Sequence, residues 1–136
     1  MISNKKMFNP LKTNYYEKLQ ESPRLAESSC NGPCLYRETA SFPKNEQFNL
    51  TSQIRRAGTS IPSNIAEGCG KFSQSDFANF LQIGLGSSNE VEYLLLLSHD
   101  LGHLEDEAFK ILDLQVNEVK AMLISLITKV RKSSKH

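Results

Sequence analysis

Residues 109–130, FKILDLQVNEVKAMLISLITKV, decide the fold. Phe109, Leu112, Val116, Val119, Leu123, Leu126 and Val130 follow one another at intervals of 3, 4, 3, 4, 3 and 4 residues. That is the a/d spacing of a helix that buries one narrow stripe against other helices. The flanking charges agree with this reading. Glu105, Asp106 and Glu107 precede the stripe, where the positive end of a helix dipole favours anions, and Lys129, Arg131 and Lys132 close it, where cations are favoured. The spacing predicts a helix over residues 105–132.

Upstream, Ser73 with Asp76 three residues later forms a variant of the capping box, and Phe77, Leu81, Leu85, Val91, Leu94 and Leu95 then recur at helical spacing until Gly102. Gly84, Gly86, Ser87 and Ser88 fall inside this second helix. A helix-interior glycine costs about 1 kcal/mol against alanine, so the cluster predicts a backbone passing close at that level. Before it, Leu50, Ile54, Ala57, Ile61 and Ile65 mark a third amphipathic helix between Asn45 and Gly68, with Pro62 inside. A proline there loses the bond to the Gly58 carbonyl, which predicts a kink rather than a stop, and Gly68 and Gly70 are expected to end the helix.

The first forty residues are less regular. Asn14 and Glu17 can open a helix and Leu35 to Ser41 can close one, but Pro23 and Asn31-Gly32-Pro33 are breakers between them. No stretch alternates apolar and polar residues with β-branched enrichment, as a strand would. The expectation is an all-α, up-and-down antiparallel four-helix bundle over residues 14–132. Its first helix is interrupted around residues 21–34, a flexible basic leader occupies residues 1–13, and a polar tail residues 133–136.

Composition narrows the function. A chain of 136 residues, 39% hydrophobic and 23% charged, is one ordinary domain able to bury a core without metal or disulfide staples. With 16 Lys and Arg against 15 Asp and Glu, the formal charge of +1 is too balanced for nucleic-acid binding by bulk charge, so any such binding is local. The longest apolar run, Leu94 to Leu97, is far below the ~20 residues of a membrane span, and Met1 to Asn9 lacks a secretory apolar stretch; a cytoplasmic location is expected. Cys30, Cys34 and Cys69 have neither the number nor the spacing of a disulfide framework or zinc ribbon.

Five segments carry a resemblance. Phe42-Pro43-Lys44-Asn45-Glu46-Gln47-Phe48 is followed by Leu50-Thr51-Ser52-Gln53-Ile54-Arg55-Arg56-Ala57 and then by Ser60-Ile61-Pro62-Ser63-Asn64-Ile65-Ala66-Glu67-Gly68. Phe77 to Ile83 and Leu85 to Glu92 continue the match. Over about residues 35–130 the chain resembles the "four helix bundle protein" family, also called the 23S rRNA intervening-sequence proteins. The resemblance implies a small bacterial bundle, in some cases encoded within insertions in ribosomal RNA genes, with no enzymatic activity assigned to the family. A distantly similar accessory protein of diversity-generating retroelements forms pentamers and works with a reverse transcriptase and RNA. The implied partners are therefore further copies of the chain, in a homo-oligomer and by that analogy a pentamer, with an RNA or RNA–protein partner as the alternative. Residues 21–34 depart from the family, whose members have an uninterrupted helix there.

On the helix ending at Gly68, Arg56, Ser60, Asn64 and Glu67 step by 4, 4 and 3 and form a polar stripe beside the apolar one. They can bond across to Glu90 or Glu92, recognise a ligand or a neighbouring subunit, or simply face water. For RNA contact the favoured residues are Arg55, Lys129, Arg131 and Lys132, because cations fixed on helices lose less entropy on binding than Lys5 and Lys6 in a leader. Gly68-Cys69-Gly70-Lys71-Phe72-Ser73 lacks the spacing and preceding strand of a phosphate loop. His99 and His103 are four apart, but Gly102 should end the helix between them, which spoils a metal pair. With no nucleophile–histidine pair and no duplicated Glu-x-x-His, the sequence predicts no catalytic residues, no metal, no cofactor and no small-molecule substrate.

Overall fold

The computed structural model describes residues 31–133. The leader over residues 1–13, the opening helix at Asn14, the Pro23 break and residues 134–136 of the tail lie outside them. Four helices make up the described part: α1 (Asn31–Thr39), α2 (Leu50–Cys69), α3 (Gln74–Asp100) and α4 (Asp106–Ser133), with a short 3-10 turn at Lys44–Glu46. No strand occurs among the described residues. α3 packs along both α2 and α4, and α1 lies against α2 and α4. Short connections join α2 to α3 and α3 to α4, so these three helices run up and down.

The apolar stripes meet as their spacing predicts. Leu112, Val116, Val119, Leu123, Leu126 and Val130 of α4 are buried with Ile54, Ala57, Ile61 and Ile65 of α2 and Phe77, Leu81, Val91, Leu94 and Leu95 of α3; Leu85 and Phe109 are partly buried at the margin. Ser88 and Ser98 are also buried, and each hydroxyl donates to the carbonyl one turn earlier, Gly84 at 3.0 Å and Leu94 at 2.7 Å. Their polarity is therefore satisfied within α3.

Two readings are corrected. Asn31-Gly32-Pro33, expected to break the chain, lies in the first turn of α1. Proline is tolerated in a first helical turn because its missing N–H would have had no intrahelical acceptor there and its φ is already helical. α2 continues through Pro62 rather than stopping. Gly58, the residue whose carbonyl loses its bond, also receives α1: a Cβ there would come 2.5 Å from Leu35 Cδ1. Gly68 does not end α2 but is buried inside it, and Gly70 is the cap.

The glycine and serine cluster of α3 divides in two. A Cβ on Gly84 would lie 3.6 Å from the Ile61 carbonyl oxygen, so α2 does approach closely there, whereas a Cβ on Gly86 would meet nothing within 4 Å. At the other end of α3, Ser73 Oγ accepts from the Asp76 N–H at 3.0 Å, the cap expected from sequence. α3 ends in a Schellman motif: the His103 N–H donates to the Ser98 carbonyl at 2.9 Å, the Gly102 N–H donates to the His99 carbonyl at 3.0 Å, and Gly102 has φ of 78°. Gly102→Ala is expected to cost about 1–2 kcal/mol, read as a lower urea midpoint with an unchanged slope, because an L side chain strains this left-handed conformation.

Candidate functional site

The polar stripe of α2 forms the seam with α3. Arg56 Nη2 donates to Glu90 Oε1 at 3.1 Å; Arg56 is largely exposed and Glu90 half-exposed, so this pair adds little stability. Deeper in the seam, Asn64 Nδ2 donates to the Ser60 carbonyl at 2.7 Å and to Ser60 Oγ at 2.9 Å, and Ser87 Oγ donates to Ser60 Oγ at 3.0 Å. The structure thus brings Arg56, Ser60, Asn64 and Glu90 onto one interhelical line. Glu67 is not brought into it. Its side chain is exposed, and its backbone carbonyl accepts from the Gly70 N–H at the helix end.

The proposed RNA-contacting residues separate. Arg55 is bound up with α1: its Nε donates to Thr39 Oγ1 at 2.9 Å, its Nη2 to the Tyr36 carbonyl at 3.2 Å, and its guanidinium stacks 4.5 Å above the Tyr36 ring. These contacts pin the end of α1 to α2. Lys129, Arg131 and Lys132 are exposed near the far end of the bundle, where Arg131 Nη2 donates to Gln82 Oε1 at 3.2 Å. Lys71, whose ammonium is 4.9 Å from the Phe80 ring centroid, lies in the α2–α3 connection at that end.

The opposite end, around the α3–α4 turn, is acidic and holds both central histidines. His99 Nε2 is 2.5 Å from Asp106 Oδ1, and the His99 ring stacks on Phe109 with centroids 4.5 Å apart. His103 points elsewhere, its Nε2 3.8 Å from Glu46 Oε1. The two imidazoles therefore serve different partners, and no group of three or more candidate metal ligands occurs among the described residues. The sequence shows His99 shortly before the Gly102 stop but not its link to Asp106, which ties the end of α3 to the start of α4.

Beside this turn, Asn89, Glu92, Tyr93 and Leu96 of α3 and Phe109 and Asp113 of α4 line an open groove of about 400 Å³. Its lining is mostly apolar and aromatic, with Glu92 and Asp113 half-buried in it. Tyr93 is 61% exposed and Leu96 47%. Lys120 Nζ donates to Glu92 Oε1 at 2.9 Å. That bond chiefly holds the Glu92 carboxyl below its ordinary value of 4.5, as the His99 hydrogen bond holds Asp106 below 3.8. A carboxyl depressed on folding contributes stability above its unfolded value and loses it as pH falls through the folded one. Lys120→Gln is therefore expected to unfold at a higher pH than the parent in an acid titration followed by circular dichroism.

The groove is not legible in the sequence because, apart from Phe109 at the margin of the α4 stripe, its residues lie off the buried stripes. Tyr93 and Leu96 interrupt no periodicity; they occupy outward positions beside the buried Val91, Leu94 and Leu95. No helix among the described residues is long and apolar enough to cross a membrane.

None of the curated proteins is significantly similar to this chain. Among solved structures, it is similar to a crystal structure from Bacteroides thetaiotaomicron VPI-5482, described as a protein with unknown function from the S23 ribosomal protein family. The two are 32% identical with a TM-score of 0.65, over 76% of this chain and 94% of that one. The sequence profile described as 23S rRNA-intervening sequence protein matches residues 33–125. That span holds the Ser60–Gly68 segment, the α2–α3 seam and most of the α4 stripe, and by it this chain belongs to the 23S rRNA-intervening sequence protein family.

Proposed function

We propose that this protein is a non-enzymatic, cytoplasmic, homo-oligomeric interaction protein, a pentamer by the analogy drawn above, that works by presenting bundle faces to further copies of itself. The observation that carries the reading is the apolar character of surfaces a lone bundle would turn to water. Ile83, Tyr93 and Leu96 of α3 and Ile111, Leu114 and Ile124 of α4 are all about half exposed or more. Gly86 adds to this, as an exposed glycine inside a 27-residue helix with nothing of its own chain to accommodate. Scattered apolar residues are ordinary on a surface; a run of large ones along two neighbouring helices is what a subunit contact needs. Light scattering of the full chain at micromolar concentration is expected to give a multiple of the 15.3 kDa chain mass, and a mass of 15.3 kDa counts against the reading.

A second reading is an RNA-binding accessory role, supported by the clustering of Lys129, Arg131 and Lys132 with Lys71 at one end of the bundle. In a ring these few cations would be multiplied around the axis. Replacing Lys129, Arg131 and Lys132 by alanine is expected to weaken RNA binding and to lower the salt slope. The fall should be up to ~0.9 per lost duplex-phosphate contact, or ~0.7 for a single strand. Unchanged affinity and slope in a folded variant would remove this role. Arg55 is expected to contribute least, because its guanidinium already bonds Thr39 and Tyr36.

A further inference from the structure

We infer that α1 is a lid on the bundle, latched by Arg55 and hinged at Ala40 and Ser41, that opens while α2, α3 and α4 stay packed and so uncovers the notch at Gly58. The lid does not depend on how many copies an assembly holds. Its physical basis is the small share of the core that α1 supplies. At nine residues α1 is about 14 Å long, against about 30 Å for the 20 residues of α2. From Cys34 onward its buried residues are Leu35 and Thr39, whereas α2, α3 and α4 each bury seven or more. Its seat is shaped for one side chain. Both atoms within 4 Å of a Cβ built on Gly58 belong to Leu35, so Leu35 fills a notch that exists because residue 58 has no side chain.

The latch is polar and within reach of water. Arg55 donates to Thr39 Oγ1 and to the Tyr36 carbonyl and lies over the ring of Tyr36, a residue 46% exposed. Each of these partners is uncharged, so water replaces it at the guanidinium without leaving a buried counter-charge behind. The oxygens that Arg55 releases are not stranded either. Thr39 Oγ1 also donates to the Leu35 carbonyl at 2.6 Å, and the Tyr36 carbonyl also accepts from the Ala40 N–H at 3.1 Å.

The chain beyond the hinge is held independently of α1. Phe42 is buried with its ring 5.8 Å from the His103 ring, and Glu46 faces His103 with one carboxylate oxygen while the other accepts from the Leu50 N–H at 3.4 Å. Ala40 and Ser41, both exposed, lie between this anchored part and α1. One backbone bond crosses them, from the Phe42 N–H to the Thr39 carbonyl at 3.1 Å. Among the described residues, opening therefore gives up that bond, the Arg55 contacts and the burial of Leu35 and Thr39, and none of the stripes that α2, α3 and α4 pack together. Such an opening needs less free energy than unfolding the bundle, and a helix of nine residues released into water is marginal, so its amides exchange once it lifts.

The test is hydrogen exchange of the full chain, followed by mass spectrometry in urea below the unfolding transition. In the parent, the amides from Leu35 to Ala40 are expected to exchange about a hundredfold or more faster than the central amides of α4, with little dependence on urea, yet at least about tenfold slower than in an unstructured peptide. Arg55→Ala is expected to speed them about tenfold. Leu123→Ala, which destabilises the closed and open forms alike against the unfolded chain, is expected to speed exchange in the centre of α4 about thirtyfold or more and to leave Leu35 to Ala40 unchanged. A Leu123→Ala chain in which both regions speed up equally overturns the lid, because α1 then opens only with the whole bundle. Should that variant not fold, the parent decides in its place, since an equal urea dependence of both regions has the same meaning. Exchange of Leu35 to Ala40 that Arg55→Ala leaves unchanged overturns the latch, and exchange in the parent at the rate of an unstructured peptide overturns the lid by showing that it has no closed state.

Discussion

Leu123→Ala is expected to lower the free energy of unfolding by about 2–5 kcal/mol, a large share of the stability of a domain this size. Leu123 is completely buried. It occupies the middle of the α4 stripe, among the elements that form the core with α2 and α3. Truncation removes the transfer energy of its isobutyl group and leaves a cavity that neighbours on several helices cannot all relax to fill. Urea denaturation should show the midpoint falling with little change in slope. Leu114→Ala, on the exposed face of the same helix, provides the comparison. A loss at Leu114 in the monomeric protein as large as that at Leu123 would show that the wrong face of α4 has been assigned to the core.

The second large effect is expected at Gly68. A Cβ there would lie 2.8 Å from Phe80 Cβ and 3.1 Å from Phe77 Cδ2. The Phe80 atom is attached directly to the backbone and the Phe77 ring is fully buried, so neither contact is relieved by swinging a flexible side-chain end. Gly68→Val, with two further methyl groups, is expected to cost about 3 kcal/mol by forcing α2 and α3 apart at their connection. Gly86→Ala is expected to do the opposite: with nothing within 4 Å of its Cβ, it should gain about 0.5–1 kcal/mol in the monomer from helix propensity. Thermal melts of the two variants moving in opposite directions would establish that these helical glycines have different reasons to exist. A Gly68→Val melt at or above the parent's would contradict the packing described for the seam.

Much of this bundle is legible in the residues because helical burial is periodic. The α4 stripe, the Ser73 cap and the Gly102 stop depend on near neighbours in sequence, so their physics is local and readable. What could not be read depends on a partner element. Gly68 looks like a helix stop until Phe77 and Phe80 of α3 are placed against it, and Arg55 looks like a displayed cation until Tyr36 and Thr39 of α1 come alongside. Asn31-Gly32-Pro33 was misjudged for a different reason: its residues disfavour a helix interior, but the described helix begins there, where proline is tolerated. The polar stripe was legible as a spacing. That Ser60 and Asn64 bond inward while Glu67 is left outside follows only from where α3 passes.

The most direct test of the central claim, that this bundle acts by association with itself, is co-expression of tagged and untagged full chains followed by nuclease treatment and capture through the tag. Untagged chain should be retained with tagged chain in a fixed ratio, and native mass spectrometry of the eluate should give one closed assembly at an integer multiple of the 15.3 kDa chain. Recovery of tagged chain alone, at the mass of a single copy, would contradict it.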